Sequence, residues 1–230
     1  RSTQGVWSAA SDVYKRQLFE SVAIGPVTSK NRFYQVPHCN GMGHAMPNSV
    51  AAMRGVKAEG GWGVVSTEEC DIHASTDVLP YPEARLWDAE DGRRMALMVD
   101  AVHAQGALAA VELVHNGHAV SNRYSRLPVM GVSDLPVAAL EPSQACAMTR
   151  RDIADVRRWH RKAALRARDI GFDIVYVYAG HDLTLGMHFL SRRYNRRVDE
   201  YGGSLTNRLR LTRELLEDTR EAVGDRCGIA

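Results

Sequence analysis

Short apolar runs alternate with longer stretches of helical periodicity along this chain. The apolar runs, which predict β-strands, are residues 31–38, 61–67, 107–114, 172–178 and 227–230. Helix signals cover residues 49–60 and 88–106, and two more helices begin near Thr149 and Ser204. No hairpin signal separates these elements. The pattern therefore predicts βαβ units and a parallel sheet.

The helix that follows Thr149 has the clearest pattern. Thr149 and Asp152 have the spacing of a capping box. The inward stripe predicted after them is Ile153, Val156, His160, Ala163, Ala167 and Ile170. For the helix after Ser204, the predicted stripe is Leu205, Leu209, Thr212, Leu216, Thr219 and Val223. The strand at 172–178 is almost continuously apolar, as expected of a strand buried on both faces of a parallel sheet.

Chemically distinctive side chains follow the predicted strands. The pairs are His38-Cys39, Glu68-Glu69, His115-Asn116 and His181-Asp182. Barrel enzymes place their chemistry at the carboxyl ends of successive strands. No GxGxxG follows any strand, so the dinucleotide-binding fingerprint is absent from this sequence. We therefore expect an α/β fold comprising about the first five strands and four helices of a (β/α)8 TIM barrel, rather than an open doubly wound sheet.

Charge and cysteine content narrow the function classes. The formal net charge is +2, and the first 17 residues account for all of it. Neither nucleic acid nor a membrane surface is expected as a partner. The sequence has no apolar run of membrane-spanning length and no secretory signal at Leu18, which predicts a cytoplasmic protein. Four cysteines form no CxxC pair, which argues against a zinc site and a disulfide scaffold. No metal ligands are predicted.

Both ends of the chain have unusual features. Residues 1–17 resemble a translated sequencing adapter, and we expect them to be disordered and outside the fold. The final residues, DRCGIA, resemble a strand that is just beginning. We therefore expect residues 18–230 to be the N-terminal part of an incomplete barrel, inactive without the remainder of its parent protein.

The segment from 188 to 210, HFLSRRYNRRVDEYGGSLTNRLR, carries a specific family resemblance. It is similar to the stretch after the fourth strand in the Old Yellow Enzyme family of flavin barrels. KNRFYQVPHC, VKAEGGW and DIVYVY resemble the trimethylamine and dimethylamine dehydrogenase branch of that family. This resemblance implies FMN in the barrel mouth, covalently attached through a cysteine sulfur to C6 of the flavin ring. Cys39 matches that cysteine.

The resemblance also implies roles for individual residues. The expected flavin contacts are Val36, Pro37, His38, Cys39, Glu69 and Glu112. From the residues alone, three other interpretations of Cys39 are open, namely a small buried side chain, a nucleophile, or a metal ligand, although further ligands are missing. Glu112, inside a predicted strand, needs a partner or a flavin contact, because an unpaired buried carboxylate is costly. An Arg or Lys elsewhere in the barrel is the alternative partner.

Tyr178 and His181 match the substrate-side pair of the amine dehydrogenases and are the expected catalytic residues. An alkylammonium must lose a proton before its C–H bond can break, and a His coupled to a Tyr suits that task. Glu69 is a third expected substrate contact. Trimethylamine dehydrogenase has Tyr there and dimethylamine dehydrogenase has Gln, so Glu suggests an amine that bears N–H groups. The alternative is that Glu69 pairs with an arginine such as Arg85.

For the complete parent protein, the resemblance implies an FMN-dependent enzyme that oxidises a methylated or other small amine. Electrons would leave through a 4Fe–4S cluster to an electron-accepting flavoprotein. The cluster and an ADP site are expected only in the missing C-terminal part, and the parent is expected to be a homodimer. Two alternatives remain open, namely an NAD(P)H-dependent ene-reductase of the same family and a non-catalytic barrel fragment.

Overall fold

A computed structural model describes residues 16–77, 83–138 and 143–230 of the chain. Most of the predicted adapter segment, residues 1–15, lies outside the described residues. In chain order the elements are β1 (Val22–Ile24), β2 (Val27–Ser29), β3 (Tyr34–Gln35), α1 (Pro47–Glu59), β4 (Val64–Asp71), β5 (Ala84–Arg85), α2 (Ala89–His103), β6 (Leu108–Val114), β7 (Met130–Gly131), β8 (Leu135–Pro136), β9 (Gln144–Ala147), α3 (Arg150–Asp169), β10 (Ile174–Val177), α4 (Leu185–Leu190), α5 (Leu205–Arg208), α6 (Arg210–Val223) and β11 (Gly228–Ile229).

The central sheet is parallel and runs in the order β3, β4, β6, β10, β11, with β5 beside the end of β4. This confirms the predicted strands and their βαβ connections. The predicted end of the second strand at residue 67 is wrong, because β4 continues to Asp71. Glu68 and Glu69 therefore lie within the strand, where the register shifts after Ser66. Such an irregularity re-aims side chains near a strand end.

The structure contains antiparallel pairs for which the sequence showed no hairpin signal. β1 and β2 form a hairpin, whose turn contains Gly25 at φ +59°. Ile24 and Val27 of this hairpin pack against the apolar side chains on the inner face of the sheet, namely Val64, Ala110 and Ile174. The hairpin thus covers the base of the sheet. A second small sheet, β7–β9–β8, is formed by the chain segment that connects β6 to α3. In this sheet β8 is antiparallel to β9.

The other face of the sheet packs against the helices and forms the main hydrophobic core. The capping box of α3 is confirmed, with the Thr149 hydroxyl accepting from the Asp152 amide and the Asp152 carboxylate accepting from the Thr149 amide. The predicted stripe of α3 is buried from Ile153 to Ala167. His160 lies within it and hydrogen-bonds through Nε2 to Oγ1 of Thr219 at 2.9 Å.

The stripe predicted after Ser204 is only partly correct. Thr219 and Val223 are buried, but Leu205, Leu209 and Leu216 are exposed. The helix is interrupted at Leu209, between α5 and α6. Beyond this break, the buried face begins instead with Leu211 and Leu215. None of the described helices combines the length and apolar character needed to cross a membrane.

Candidate active site

The carboxyl ends of β3, β4, β6 and β10 meet at one end of the inner sheet face. Tyr176 lies on this face and donates from its hydroxyl to Oη of Tyr34 at 2.6 Å. Oγ of Ser66 lies 3.3 Å from the same Tyr176 hydroxyl. Side chains alternate along a strand, so Tyr178 follows Tyr176 on the inner face. Glu112 pairs in register with Tyr176 on the neighbouring strand. Tyr34, Ser66 and Tyr176 thus form a polar layer on the inner face. Glu112 and Tyr178 lie toward the open end of this face, which we call the mouth.

The loop that carries Cys39 continues beyond β3 along the edge of β4. The His38 amide donates to the Thr67 carbonyl at 3.1 Å, and Nη2 of Arg54 donates to the His38 carbonyl at 2.6 Å. The Cys39 side chain is exposed. Partial desolvation of the sulfur, with nearby acidic side chains, raises the pKa of the Cys39 thiol to about 12. The loop is therefore anchored, and its thiol is available at the mouth.

Glu69 is nearly buried at the same mouth and is held by an amide side chain. Its Oε1 accepts a hydrogen bond of 2.7 Å from Nδ2 of Asn116. Burial raises the pKa of Glu69, although the Asn116 hydrogen bond opposes this shift. Arg85, the alternative partner expected from the sequence, instead donates through Nε to Oδ1 of Asp91 at 2.8 Å. Glu69 thus has a neutral partner rather than an arginine.

Glu112 lies directly across from Glu69 in the pairing of β4 with β6. Burial, followed by the charge of Glu69, raises the pKa of the Glu112 carboxyl to about 7. Within residues 16–77, 83–138 and 143–230, no Arg or Lys forms an ion pair with Glu112. The alternative of a basic partner therefore finds no support in this part of the chain.

The unpaired state of Glu112 predicts a pH-dependent cost in stability. Its folded pKa, about 7, lies above its ordinary value of 4.5, so the folded state retains the proton longer than the unfolded state. The free energy of unfolding should therefore fall as pH rises between these values. Without bound flavin, we expect full-length Glu112→Gln to be roughly 1–3 kcal/mol more stable than the unmodified full-length protein at about pH 8, and to lose this advantage near pH 5. Chemical denaturation at both pH values would measure it.

The control for this prediction is Glu59→Gln, which changes an exposed glutamate at the end of α1. It should leave the stability difference between the two pH values unchanged. Equal stability of Glu112→Gln and the unmodified protein at both pH values would contradict the burial of an unpaired carboxyl at this position.

Tyr178 and His181 meet after β10. The Tyr178 hydroxyl hydrogen-bonds to Nδ1 of His181. His181 and Asp182 have φ angles of 56° and 58°, a left-handed conformation that is uncommon for residues other than glycine. Asp182 is held by the Tyr194 hydroxyl, which donates to Oδ2 at 2.8 Å. Such conformations persist where surrounding contacts determine them, and they concentrate at functional sites.

The electrostatic neighbours of Tyr178 place it in the same mouth as the acidic residues and the thiol. Burial raises the pKa of the Tyr178 hydroxyl to about 12, with further contributions from Glu112, Glu69 and Cys39. The phenol therefore stays protonated near neutral pH. The structure thus brings together Cys39, Glu69, Glu112, Tyr178 and His181.

The remaining residues that the sequence predicted near the mouth lie in different environments. Val36 and His38 are exposed and Pro37 is partly buried. Asn116 contacts the mouth through its hydrogen bond to Glu69. His115 instead lies buried behind the sheet, with Nε2 3.1 Å from Oγ of Ser75, and burial lowers its pKa to about 3.

Sequence reasoning assigned no role to three buried groups behind Cys39, namely Arg54, Glu68 and Glu83. The sequence signal was limited to Arg54 inside a predicted helix and Glu68 directly after a predicted strand, and Glu83 lies in neither kind of position. In the part of the chain that the structure describes, no group of three or more His, Cys, Asp or Glu side chains is arranged to hold a metal ion.

Comparison with solved structures identifies the fold. Histamine dehydrogenase from Rhizobium sp. 4-9 superimposes with a TM-score of 0.90 at 46% identity, covering 93% of this chain and 33% of that one. The 6-hydroxypseudooxynicotine amine oxidase from Pseudomonas geniculata N1 gives a TM-score of 0.91 at 47% identity, covering 93% and 32%. The predicted partial TIM barrel is confirmed.

Sequence comparison gives a consistent result. Dimethylamine dehydrogenase from Hyphomicrobium sp. (strain x) is 44% identical over 214 residues, which are 90% of this chain and 29% of that protein. The chain therefore spans about a third of the length of these relatives. The sequence profile of a flavin oxidoreductase family matches residues 17–230. The predicted relationship to Old Yellow Enzyme-like flavin barrels and their amine dehydrogenase branch is confirmed, and the chain belongs to the NADH:flavin oxidoreductase / NADH oxidase family.

Proposed function

We propose that the protein containing this chain is an FMN-dependent amine dehydrogenase with its flavin tethered through Cys39. The observation that carries the proposal is the exposed Cys39 thiol at one mouth with Glu69, Glu112 and Tyr178. In this proposal, residues 18–230 form the N-terminal part of the FMN-binding barrel. The substrate is a methylated or other small amine, oxidised with N-demethylation or deamination.

The residues at the mouth fit a flavin ring. The Cys39 sulfur is accessible, and Glu112 supplies a carboxyl group without an ion-pair partner among the described residues. The ring's pyrimidine edge offers groups that such a carboxyl could contact. Val36, Pro37 and His38 would supply the backbone beside the ring. Bound FMN would supply the two-electron acceptor that no side chain of this protein can provide.

The side chains have separate tasks in this proposal. Glu69 binds the ammonium group of the incoming amine, because its carboxylate offers a charge-assisted hydrogen bond. In the tautomer that donates from Nδ1 to the Tyr178 hydroxyl, His181 has Nε2 free to accept a proton. It takes the ammonium proton and leaves the nitrogen lone pair available to support C–H cleavage. Tyr178 orients the imidazole throughout.

The remaining parts of the proposal concern the rest of the parent protein. A 4Fe–4S cluster would supply the route for electrons to an electron-accepting flavoprotein. The cluster and the ADP site belong to the C-terminal part, and the parent is a homodimer. These parts rest on similarity to proteins of which this chain covers about a third.

A direct test exposes the oxidised full-length protein to substrates without oxygen. We expect dimethylamine or histamine to bleach the visible flavin absorption and NADPH to leave it unchanged. Bleaching by NADPH and not by amines would contradict the proposal and favour an ene-reductase. Failure of every compound to bleach a flavin that dithionite does reduce would favour a non-catalytic barrel.

A further inference from the structure

Two buried carboxyl groups lie directly behind the Cys39 loop. Glu68 is 1% exposed and Glu83 is 9% exposed. Oε2 of Glu68 accepts a hydrogen bond of 2.8 Å from the Asn40 amide. Glu83 accepts one from the Gly41 amide. Each carboxyl group therefore holds one backbone amide of the segment that follows Cys39.

The remaining oxygens of this pair lack ordinary donors. Oε1 of Glu68 and Oε2 of Glu83 are buried and receive no hydrogen bond from N–H or hydroxyl groups in the described part of the chain. The two carboxyl groups are instead within hydrogen-bonding reach of each other. Two ionised carboxylates cannot form such a bond, but a carboxylic acid and a carboxylate can. Burial, followed by the bond to Glu68, raises the pKa of Glu83 to about 9.

The backbone closes this pocket on one side. A Cβ atom added at Gly43 would lie 2.0 Å from Oε1 of Glu68 and 2.3 Å from the Ala84 amide nitrogen. Only glycine fits there, since real Cβ atoms do not approach other atoms this closely. The close approach keeps the carboxyl pair packed against the loop and leaves little room for an additional partner on this side.

A buried arginine completes the cluster. Arg54 is fully buried and donates to the His38 carbonyl at 2.6 Å and to Oε1 of Gln35 at 3.2 Å. Its charge acts on Glu68, Glu83 and Cys39. With one proton between them, the two carboxyl groups carry a single negative charge, which Arg54 balances. Loss of that proton leaves an uncompensated negative charge in a buried place, which is costly.

We infer that Glu68 and Glu83 share one proton and act as positioning residues that set the ionisation of the Cys39 thiol. While the proton is held, the cluster formed with Arg54 is neutral. Once the proton leaves, the added negative charge opposes formation of the Cys39 thiolate. The thiolate is the reactive form of cysteine, so the pair controls how readily this thiol reacts. The inference deepens the tether in the proposed function but concerns the thiol itself.

Other charged and titratable groups also face Cys39. Glu69 on β4 and Tyr178 at the end of β10 both interact electrostatically with the Cys39 thiol. The Glu69 backbone also hydrogen-bonds to the sulfur and favours its ionised form. These groups are present equally in proteins altered at Glu68 or Glu83. A difference between such variants and the unmodified protein therefore reports on the carboxyl pair.

The test follows alkylation of Cys39 by iodoacetamide in the full-length protein, purified from riboflavin-limited cells. Cys146, the other exposed cysteine, is replaced by serine. The rate is measured on the Cys39 peptide by mass spectrometry from about pH 7.5 to about pH 10.5. For the unmodified pair, the logarithm of the rate should rise with pH and flatten above about pH 9, where the shared proton leaves.

Glu83→Gln and Glu68→Gln should both remove this flattening, because each leaves only one titratable carboxyl. Their rates should match the unmodified protein near pH 7.5 and exceed it roughly three- to tenfold near pH 10.5. The control Glu59→Gln should follow the unmodified protein. If one of these two variants does not fold, the other variant alone is sufficient for the test.

Identical pH profiles for all proteins would overturn the inference. So would a rate increase of equal size at every pH, which would indicate a loosened loop without a shared proton. The outcome is separate from the proposed function, since alkylation needs no flavin. A protein that shows the flattening but never retains a tethered flavin would support the carboxyl pair and contradict only the proposed tether.

Discussion

Replacing Glu69 with Tyr is expected to move the preference of the full-length protein away from dimethylamine and toward trimethylamine. Oε1 of Glu69 is occupied by Asn116, whereas Oε2 receives no hydrogen bond in residues 16–77, 83–138 and 143–230. An ammonium bearing two N–H groups can use this oxygen better than trimethylammonium, which has one N–H and a bulkier methyl shell. A hydrogen bond to a charged group contributes about 1.5–3 kcal/mol, roughly a ten- to hundredfold preference. Tyr removes it and offers an aromatic wall to the cation.

Glu69→Gln should give an intermediate ranking, because an amide oxygen accepts a hydrogen bond without the charge. The measurement is kcat/KM for dimethylamine, trimethylamine and a larger secondary amine on all three proteins. Glu59→Tyr, on the exposed end of α1, is the matched control and should keep the original ranking. If Glu69→Tyr and Glu69→Gln rank the amines as the unmodified protein does, then Glu69 does not contact the substrate.

The same carboxyl group should make amine binding depend on pH. Burial raises the pKa of Glu69, so its carboxyl becomes neutral at a higher pH than an exposed glutamate would. Selectivity for amines rich in N–H groups should therefore weaken as pH falls, and Glu69→Gln should show no such change.

Local sequence patterns were sufficient to predict the parallel sheet and the longer helices. The apolar runs that became β4, β6 and β10 are long and lie between strong helix signals. The capping residues of α3 also fixed its start correctly. Prediction failed where a tertiary contact overrides the local pattern. The buried face of α6 carries Leu211 and Leu215 in place of the predicted Leu209 and Leu216, and the β1–β2 hairpin depends on packing beneath distant strands.

The end of β4 shows the same limitation at the site. Two adjacent glutamates suggest a loop, because an isolated charged side chain is costly inside a sheet. Their partners come from far along the chain, and Asn116 is 47 residues from Glu69. Neither this bond nor the contact of Glu83 with Glu68 produces a periodic pattern in the sequence. The roles proposed for Cys39, Tyr178 and His181 came from family resemblance, whereas their shared location emerged from the fold.

Removing the Cys39 thiol is expected to abolish covalent attachment of the flavin completely. No other exposed cysteine lies at the mouth among the described residues, since Cys70 and Cys227 are buried and Cys146 belongs to β9. Cys39→Ala should still bind some FMN, because Glu112 and the neighbouring backbone remain. That flavin should be released when the protein denatures. Cys146→Ala is the matched control and should retain the covalent flavin in full.

Acid precipitation of the full-length protein tests the central proposal most directly. We predict a yellow pellet, a colourless supernatant and a Cys39 peptide whose mass is increased by that of the attached FMN. For Cys39→Ala, the colour should move entirely into the supernatant. A colourless pellet from the unmodified protein, with all flavin in the supernatant and an unmodified Cys39 peptide, would contradict the account.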